Sequence, residues 1–372
     1  MNKKICFVTN YASHYHLAKW KLMAETFSID FVFDSDVSKT KGIKQMDLSQ
    51  INAGKINVNN YFINGHMIWQ KGLIKLAFNK EYDKYIVTDE VTSISSWIFA
   101  IIIKFSRNKK LYWGDGHGWY GRENFIKKII KKSAFYLSDG EFVYGNYAKQ
   151  IMVANGLDSN KIWVVHNSLN HQEQLKYRDI FSNIYKEHFN NTNPVIIFIG
   201  RLTKEKRLDM ILTSINNAKA KGFEINCVII GDGKTKNELI QRSKQLNIEE
   251  NVWFYGPCYT EDKISELITN ADLCVSPGNV GLTAMHSMVY GTPLITHNNF
   301  PYQGPEFESI VQGKTGDYFE QGNIDSLSEK IISWFQNNPD RDKIRQNCYD
   351  EIDNNWTAEF KVNILKKVLF NS

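Results

Sequence analysis

Short apolar runs alternate with amphipathic segments along most of the chain. Apolar runs of this kind are typical of strands that are buried on both faces of a parallel sheet. In the first half, the predicted strands cover residues 4–9, 29–33, 85–88, 110–113, 140–144 and 162–165. Segments with helical spacing lie between several of them, at 14–25, 93–105 and 124–137. The alternation predicts an α/β fold built on a doubly wound parallel sheet.

A polar, asparagine-rich stretch over residues 170–193 interrupts this pattern. The alternation then resumes, with predicted strands at 195–199, 226–230, 252–255, 273–275 and 294–296. Because 372 residues exceed one ordinary domain, we predict two Rossmann-like domains, 1–180 and 193–350, and a terminal segment over 351–372. Two such domains that face each other enclose a central cleft, and ligands bind there at the carboxyl ends of the strands.

Composition narrows the class of protein. Hydrophobic residues make up 42% and charged residues 23%, which indicates a soluble globular chain. No apolar run is long enough to span a membrane, and the short run after Lys4 is predicted to be a first strand, not a leader. The five cysteines are scattered and are expected to be reduced, as in a cytoplasmic protein. A net charge of +5 suits anionic partners, but no nucleic-acid-binding motif accompanies it.

The glycine loops exclude two common nucleotide-binding motifs. A dinucleotide site needs G-x-G-x-x-G after the first strand, whereas residues 10–14 contain no glycine. The Gly231-Asp232-Gly233 sequence lacks the third glycine, and no Walker A sequence is present. The sequence therefore indicates neither dinucleotide nor P-loop chemistry.

A strand, a loop of small residues and a helix follow one another near Gly281. Leu282, Met285 and Val289 fall at helical spacing on one face. The free backbone N–H groups and the dipole of a first helical turn favour an anion such as phosphate. The same pattern also fits an ordinary crossover whose loop binds nothing.

Arg201 and Lys206 come just after the strand that ends at residue 199. Two cations opposite a helix N-terminus would hold a diphosphate and stabilise its charge as it leaves. The alternative is a solvated basic helix start, because Lys204 and Arg207 lie beside them.

Ordered blocks of the second half resemble the retaining glycosyltransferases of glycosyltransferase family 4, which have the GT-B fold. In the first half, His117-Gly118 and residues 160–168 resemble further landmarks of that family. Trp356 and the helix after it resemble the C-terminal helix that crosses back to the first domain in this fold. The blocks of the second half cover residues 198–206, 228–233, 252–256, 271–277 and 313–316.

The resemblance implies a bacterial hexosyltransferase of cell-surface polysaccharide synthesis, in a capsule, O-antigen or exopolysaccharide pathway. It would move a sugar from a UDP- or GDP-sugar to a glycan acceptor that is lipid-linked, at the cytoplasmic face of the membrane. The anomeric configuration would be retained, with no metal and no cofactor. Two alternatives stay open: a non-catalytic protein that binds a sugar nucleotide or glycan, and a sugar-nucleotide epimerase.

The resemblance also implies roles for particular residues. The catalytic group would be His117, Arg201 and Lys206. Acceptor recognition is expected in the first strand–helix turn, at Asn10, Ser13, His14 and His16, although such polar turns are common without function. The implied donor-binding residues are Gly200, Tyr255, Gly256, Gly278, Asn279, Gly281, Leu282, Thr283, His286, Glu306 and Glu308.

The chain departs from the family pattern at its acidic positions. The family has two glutamates eight positions apart, and in register those positions are Gly278 and His286. A family Gly-x-Pro-Glu motif places Glu308 in register, yet Gly304-Pro305-Glu306 spells the motif two residues earlier. Both Glu306 and Glu308 are therefore candidates, and the alternative is a polar surface loop.

The predicted helix over 124–137 has one apolar and one basic face. Its apolar side is expected to pack against the core, and this is the ordinary pattern of a solvated surface helix. In the context of the resemblance, the basic face would contact anionic lipid. That face comprises Lys127, Lys128, Lys131 and Lys132.

Overall fold

The computed structural model describes residues 4–36, 45–64, 67–90, 92–106, 108–114, 116 and 124–370. The chain forms two compact units, the first from Met1–Asn170 with Thr357–Ser372 and the second from His171–Trp356. These units differ in their bounds from the predicted segments 1–180, 193–350 and 351–372. The physical reason is that Arg178 donates hydrogen bonds to both carboxylate oxygens of Asp353, at 2.8 and 2.9 Å, within the second unit.

A parallel sheet forms the centre of the first unit. Among its described residues the sheet has seven strands in the order β3-β2-β1-β6-β7-β8-β9, and β4 and β5 pair separately as an antiparallel hairpin. The strands are β1 Lys4–Tyr11, β2 Ile29–Asp34, β3 Gly54–Asn57, β4 Asn59–Ile63, β5 Met67–Lys71, β6 Tyr82–Thr88, β7 Lys109–Gly114, β8 Gly140–Val143 and β9 Ile162–Val164. The helices between them are α1 Leu17–Thr26, α2 Leu73–Leu76, α3 Ile94–Lys104, α4 Phe125–Tyr136 and α5 Asn146–Ala154.

The second unit contains a second parallel sheet. Its described strands have the order β12-β11-β10-β13-β14-β15. These strands are β10 Val195–Ile199, β11 Asn226–Ile230, β12 Val252–Gly256, β13 Leu273–Ser276, β14 Leu294–His297 and β15 Gly316–Phe319. The helices are α6 His171–Gln174, α7 Ile184–Phe189, α8 Leu208–Ala220, α9 Lys236–Gln245, α10 Glu261–Thr269, α11 Thr283–Met288, α12 Ile324–Asn337 and α13 Arg341–Asn355.

The last helix, α14 (Ala358–Phe370), returns to the first unit. Its residues Val362 and Leu365 are buried in the same core as Trp20 and Phe31. Trp20 and Phe31 stack with their ring centroids 4.3 Å apart. The C-terminal helix is therefore part of the first unit's core. Together, the two parallel α/β units confirm the predicted GT-B fold class.

The side chains of β7 alternate between the two faces of the first sheet, as the pleat requires. Trp113 packs edge-on against Phe7, at 5.7 Å between ring centroids, on the side of α1 and α14. Tyr112 packs on the opposite side with Tyr85 and Phe99. Neighbouring residues of one strand therefore contact different layers of the unit.

Helix α4 forms where it is expected, but its predicted orientation is wrong. Asn124 caps it by accepting a hydrogen bond from the N–H of Lys127 at 2.9 Å. The apolar side chains of its first half are outward, while Lys131 is buried with Ala134 and Phe135. The reason is that the helix packs on the sheet mainly through the side chains of its second half. The outward apolar residues are Phe125, Ile126, Ile129 and Ile130, which are 76%, 67%, 48% and 42% exposed.

A helix that crosses a membrane must be both long and apolar. Within residues 4–36, 45–64, 67–90, 92–106, 108–114 and 124–370, no helix combines the length and the apolar character needed to cross a bilayer.

Candidate functional site

Two cations and a carboxylate come together after strand β10. Arg201 is exposed in the loop after the strand, and the Nζ of half-buried Lys206 donates a hydrogen bond to the carbonyl of Asn279. Burial lowers the pKa of Lys206, the charge of Arg201 lowers it further, and the charge of Glu306 raises it. Lys206 therefore interacts electrostatically with Arg201 and with Glu306, which is far from it in the sequence.

Gly278 allows the two loops of this site to touch. A Cβ atom at this position would lie 2.0 Å from the carbonyl oxygen of Glu205 and 2.9 Å from the Cα of Lys206. No side chain fits there without a backbone shift. The absence of a glutamate at this position is thus coupled to the close approach that brings Lys206 onto Asn279.

Buried hydrogen bonds hold the loop that precedes α11. The carboxamide of Gln303 is the centre of this network: its Oε1 accepts from the N–H of Val280 at 2.9 Å, and its Nε2 donates to Thr296 Oγ1 at 2.9 Å. Gln303 is only 3% exposed. Asn279 Nδ2 adds a bond to the carbonyl of Tyr302 at 3.1 Å. Sequence reasoning missed Gln303, because its partners lie 7 and 23 residues away.

The helix predicted near Gly281 begins at Thr283. Gly281 has φ of +51°, a left-handed conformation that favours glycine, and it turns the chain into the helix. Leu282 is exposed before the first turn, and Thr283 Oγ1 donates to the carbonyl of Ile199 at 3.4 Å. Loop and helix start are thus positioned against the end of β10.

His286 faces a neighbouring helix. Its Nε2 lies 2.9 Å from Oε1 of Glu261, which also accepts from the hydroxyl of Tyr290 and from Gln174 Nε2. Burial raises the pKa of Glu261, but these hydrogen bonds and the charge of His286 prevail and lower it to about 2. Glu261 supplies a carboxylate next to the helix in which the family pattern has its second glutamate. No motif in the sequence indicated it.

The two candidate glutamates lie in different surroundings. Glu306 is 5% exposed and acts on Lys206, and a Cβ atom at Gly304 would lie 2.6 Å from its Oε2. The charge of Glu308 instead raises the pKa of Tyr318, on which burial has the larger effect. The charge of Glu306 therefore acts on Lys206, and that of Glu308 acts on Tyr318.

A cavity of about 230 Å³ lies beside Arg201 at the carboxyl ends of β10, β11 and β12. Gly200 lines it together with Pro257 and Tyr259. Two predicted donor residues lie at the end of β12. The carbonyl of Gly256 accepts from the N–H of Gly231 at 2.9 Å, and Tyr255 packs edge-on against Trp253 at 5.1 Å.

The predicted acceptor residues lie at the end of β1. The carbonyl of Asn10 accepts from Asn60 Nδ2 at 3.1 Å, and Ser13 is buried, with its carbonyl accepting from the N–H of His16. His14 is exposed and His16 is partly buried. His117 lies outside the described residues.

A metal site would need several His, Cys, Asp or Glu side chains close together among the described residues. Within those residues, no group of three or more His, Cys, Asp or Glu side chains is arranged to hold a metal ion. The expectation of a metal-independent protein without a cofactor stays a prediction.

A family model described as "Glycosyl transferases group 1" matches residues 179–351, which lie within the second unit. The match spans most of the second unit. The resemblance of that part of the chain to glycosyltransferases is therefore confirmed, while its assignment to family 4 stays a prediction.

A known protein is similar in sequence to about two thirds of the chain. The chain is 24% identical over 249 residues to a Staphylococcus aureus protein named "Capsular polysaccharide biosynthesis glycosyltransferase CapM". That alignment covers 64% of this chain and 63% of the relative, so the chain spans less than two thirds of it.

Two solved structures show the same fold over nearly the whole chain. HepE of Anabaena in complex with UDP has a TM-score of 0.70 at 15% identity, covering 98% of this chain and 99% of that one. The lipopolysaccharide outer core galactosyltransferase WaaB, in its apo form, has a TM-score of 0.69 at 16% identity, covering 99% and 100%. At these identities the likeness concerns the fold alone.

Proposed function

We propose that the protein is a retaining hexosyltransferase that moves a sugar from a UDP- or GDP-sugar to a lipid-linked glycan in cell-surface polysaccharide synthesis. The capsular polysaccharide relative and the UDP complex of the Anabaena structure support this class of donor and pathway. The contact of Lys206 with the loop before α11, beside Arg201 and Glu306, is the observation on which the proposal rests.

The chemistry follows from the charges of this site. Arg201 and Lys206 would neutralise the diphosphate of the donor and stabilise the negative charge that grows on it as the sugar leaves. Glu306, whose charge acts on Lys206, would accept hydrogen bonds from hydroxyl groups of the donor sugar. Such a site accelerates the reaction by positioning and electrostatic stabilisation, without a strong protein base.

The test is release of nucleoside diphosphate from a panel of donors, with and without a glycan acceptor. Arg201→Ala and Lys206→Ala should each lower turnover by about 100-fold, the effect of removing one preorganised contact to a developing charge. Lys204→Ala is the matched control, because Lys204 is an exposed lysine in the same loop. Unchanged turnover in both site variants would refute the phosphate role.

A second candidate function is binding of a sugar nucleotide without turnover. It is favoured by Gly278, where a glutamate does not fit, and by His286, whose Nε2 is hydrogen-bonded to Glu261. The same panel distinguishes the two functions. Saturable binding of a donor with no release of diphosphate under any acceptor condition would select the binding protein.

Helix α4 supports the membrane part of the proposal. Phe125 and Ile126 are exposed beside Lys127 and Lys128, with Lys132 one turn further on. Apolar side chains would enter the interface while the lysines attract anionic headgroups. We infer that α4 rests on an anionic membrane surface.

This inference is tested by co-sedimentation with phosphatidylglycerol vesicles. The double variant Phe125→Ser, Ile126→Ser should lose most vesicle binding, whereas Phe78→Ser should retain it. Phe78 is a suitable control because it is 70% exposed in the same unit but lies outside α4. Equal binding of both variants would exclude α4 as the contact.

A further inference from the structure

Two buried lysines of the first unit converge on one tryptophan. Trp113 lies near the carboxyl end of β7, and the Nζ atoms of Lys19 and Lys361 lie 5.2 and 5.9 Å from its ring centroid. Lys361 is also 5.0 Å from the ring of Tyr144, which follows β8. Lys19 is 4% exposed and Lys361 is 1% exposed. Two ammonium groups from α1 and α14 are thus enclosed at one edge of the sheet.

Two histidines belong to the same cluster. His16 follows β1 and His166 follows β9, so both lie at the carboxyl edge of the sheet. Burial lowers the pKa of His16, and the charges of Lys19 and Lys361 lower it further. Burial likewise lowers the pKa of His166 to about 4, with Lys361 contributing. The four side chains are therefore close enough to act on one another.

No described carboxylate balances Lys19. Among the described residues, the ammonium group of Lys19 contacts the ring of Trp113 and forms no ion pair and no hydrogen bond. The nearby acids Asp89 and Glu141 act on Tyr112, which faces the opposite side of the sheet. Because burial of an ammonium group without a counter-charge is unfavourable, the pKa of Lys19 is lowered to about 7.

We propose that Lys19, Lys361, His16 and His166 bind a phosphoryl group carried by the acceptor. Two ammonium groups match the charge of a phosphate dianion, and lysine is a common phosphate ligand. The carboxyl edge of a parallel sheet is where ligands of such folds bind. The ring of Tyr144, which is only partly buried, would pack against the adjoining sugar. This step rests on the proposed function, because it assigns a charge to the acceptor of that reaction.

The test is direct binding, measured by calorimetry with inorganic phosphate, glucose 1-phosphate and UDP as separate probes. Wild type should bind glucose 1-phosphate more tightly than inorganic phosphate, because the sugar adds ring contacts. Lys19→Met should weaken glucose 1-phosphate binding at least 10-fold and leave UDP binding unchanged. If UDP binding fell equally, the phosphoryl group would come from the nucleotide, and the acceptor assignment would be overturned.

The matched control is Lys110→Met. Lys110 is 1% exposed, and its Nζ lies 3.9 Å from the ring of Tyr112 on the other face of the sheet. This variant should bind glucose 1-phosphate as wild type does. Equal losses in Lys19→Met and Lys110→Met, or wild-type binding by Lys19→Met, would overturn the site.

A second variant distinguishes loss of the binding site from loss of folding. Lys361→Met should reproduce the loss, with the thermal transition of each variant recorded without ligand. Because the probes need no turnover, absence of sugar transfer would reject the proposed function without affecting this result. If wild type bound UDP but neither inorganic phosphate nor glucose 1-phosphate, only the inference about the acceptor would be rejected.

Discussion

The two units stabilise buried positive charge in different ways. In the second unit, Arg341 donates to the carbonyls of Gly291 and Ala271 at 2.6 and 2.9 Å. In the first unit, Lys19 and Lys110 have their ammonium groups over aromatic rings. Oxygen partners make the arginine a structural link, whereas a ring leaves the donors of a lysine available. The difference separates a cation that maintains the fold through hydrogen bonds from cations that lie against aromatic rings.

The largest expected effect is the loss of an oxygen-bonded cation. Arg341→Ala removes the donor for two backbone carbonyls and for Thr292 Oγ1. Because partly buried acceptors lose their partners, the free energy of unfolding should fall by about 3 kcal/mol. Urea unfolding measures it, with Lys343→Ala as the exposed control from the same helix. Equal stability of the two variants would contradict a structural role for the arginine.

Removal of a lysine that lies over an aromatic ring should raise the free energy of unfolding, the opposite of the effect expected for Arg341→Ala. Burial lowers the pKa of Lys110 to about 7, so folding is penalised while the lysine is charged. The unfolded chain binds its proton up to its ordinary pKa near 10.4, so stability should increase as pH rises from 7 towards 10. Lys110→Met should gain about 1 kcal/mol at pH 7 and show a smaller pH dependence. Urea unfolding of wild type and Lys110→Met at pH 7 and 9 measures the gain in stability and its pH dependence. A loss of stability in Lys110→Met at pH 7 would contradict the proposed difference between the two units.

The smallest expected effect concerns an acid of the second unit. Hydrogen bonds to Glu261 overcome the effect of burial and lower its pKa to about 2 from the ordinary 4.5. A lowered carboxylate pKa stabilises the fold above about pH 4.5, and this contribution is lost as pH falls towards 2. In Glu261→Gln, stability should therefore fall less steeply as the pH is lowered. Unfolding followed by tryptophan fluorescence at a series of acid pH values measures this. Glu238→Gln, at an exposed position of α9, should leave it unchanged.

Local sequence patterns were sufficient for most of the framework. Strand β10 covers the predicted residues 195–199, and α4 lies within the predicted 124–137, because burial and helical spacing leave a clear apolar period. Strands β3, β4 and β5 were not predicted. Strand β3 is short and exposed, and β4 and β5 form a hairpin whose apolar side chains are largely exposed to solvent, so no buried apolar run marks them.

The site contacts that were missed depend on packing between distant residues. His286 meets Glu261 across 25 residues, and Lys19 meets a tryptophan 94 residues away in sequence. The periodicity of α4 indicated an apolar face but not which way that face points. A one-dimensional pattern records the period of a helix, while its orientation depends on the neighbour on which it packs.

Helix α14 has a consequence for synthesis of the protein. The second unit is continuous from His171 to Trp356, but the core of the first unit needs Val362 and Leu365. On the ribosome, the unit made first therefore cannot complete its core until the helix made after the second unit has emerged. The second unit can therefore complete its fold first, although most of the first unit is translated before it. Lys361 arrives with that helix, so the proposed phosphoryl site forms only after both units have been translated.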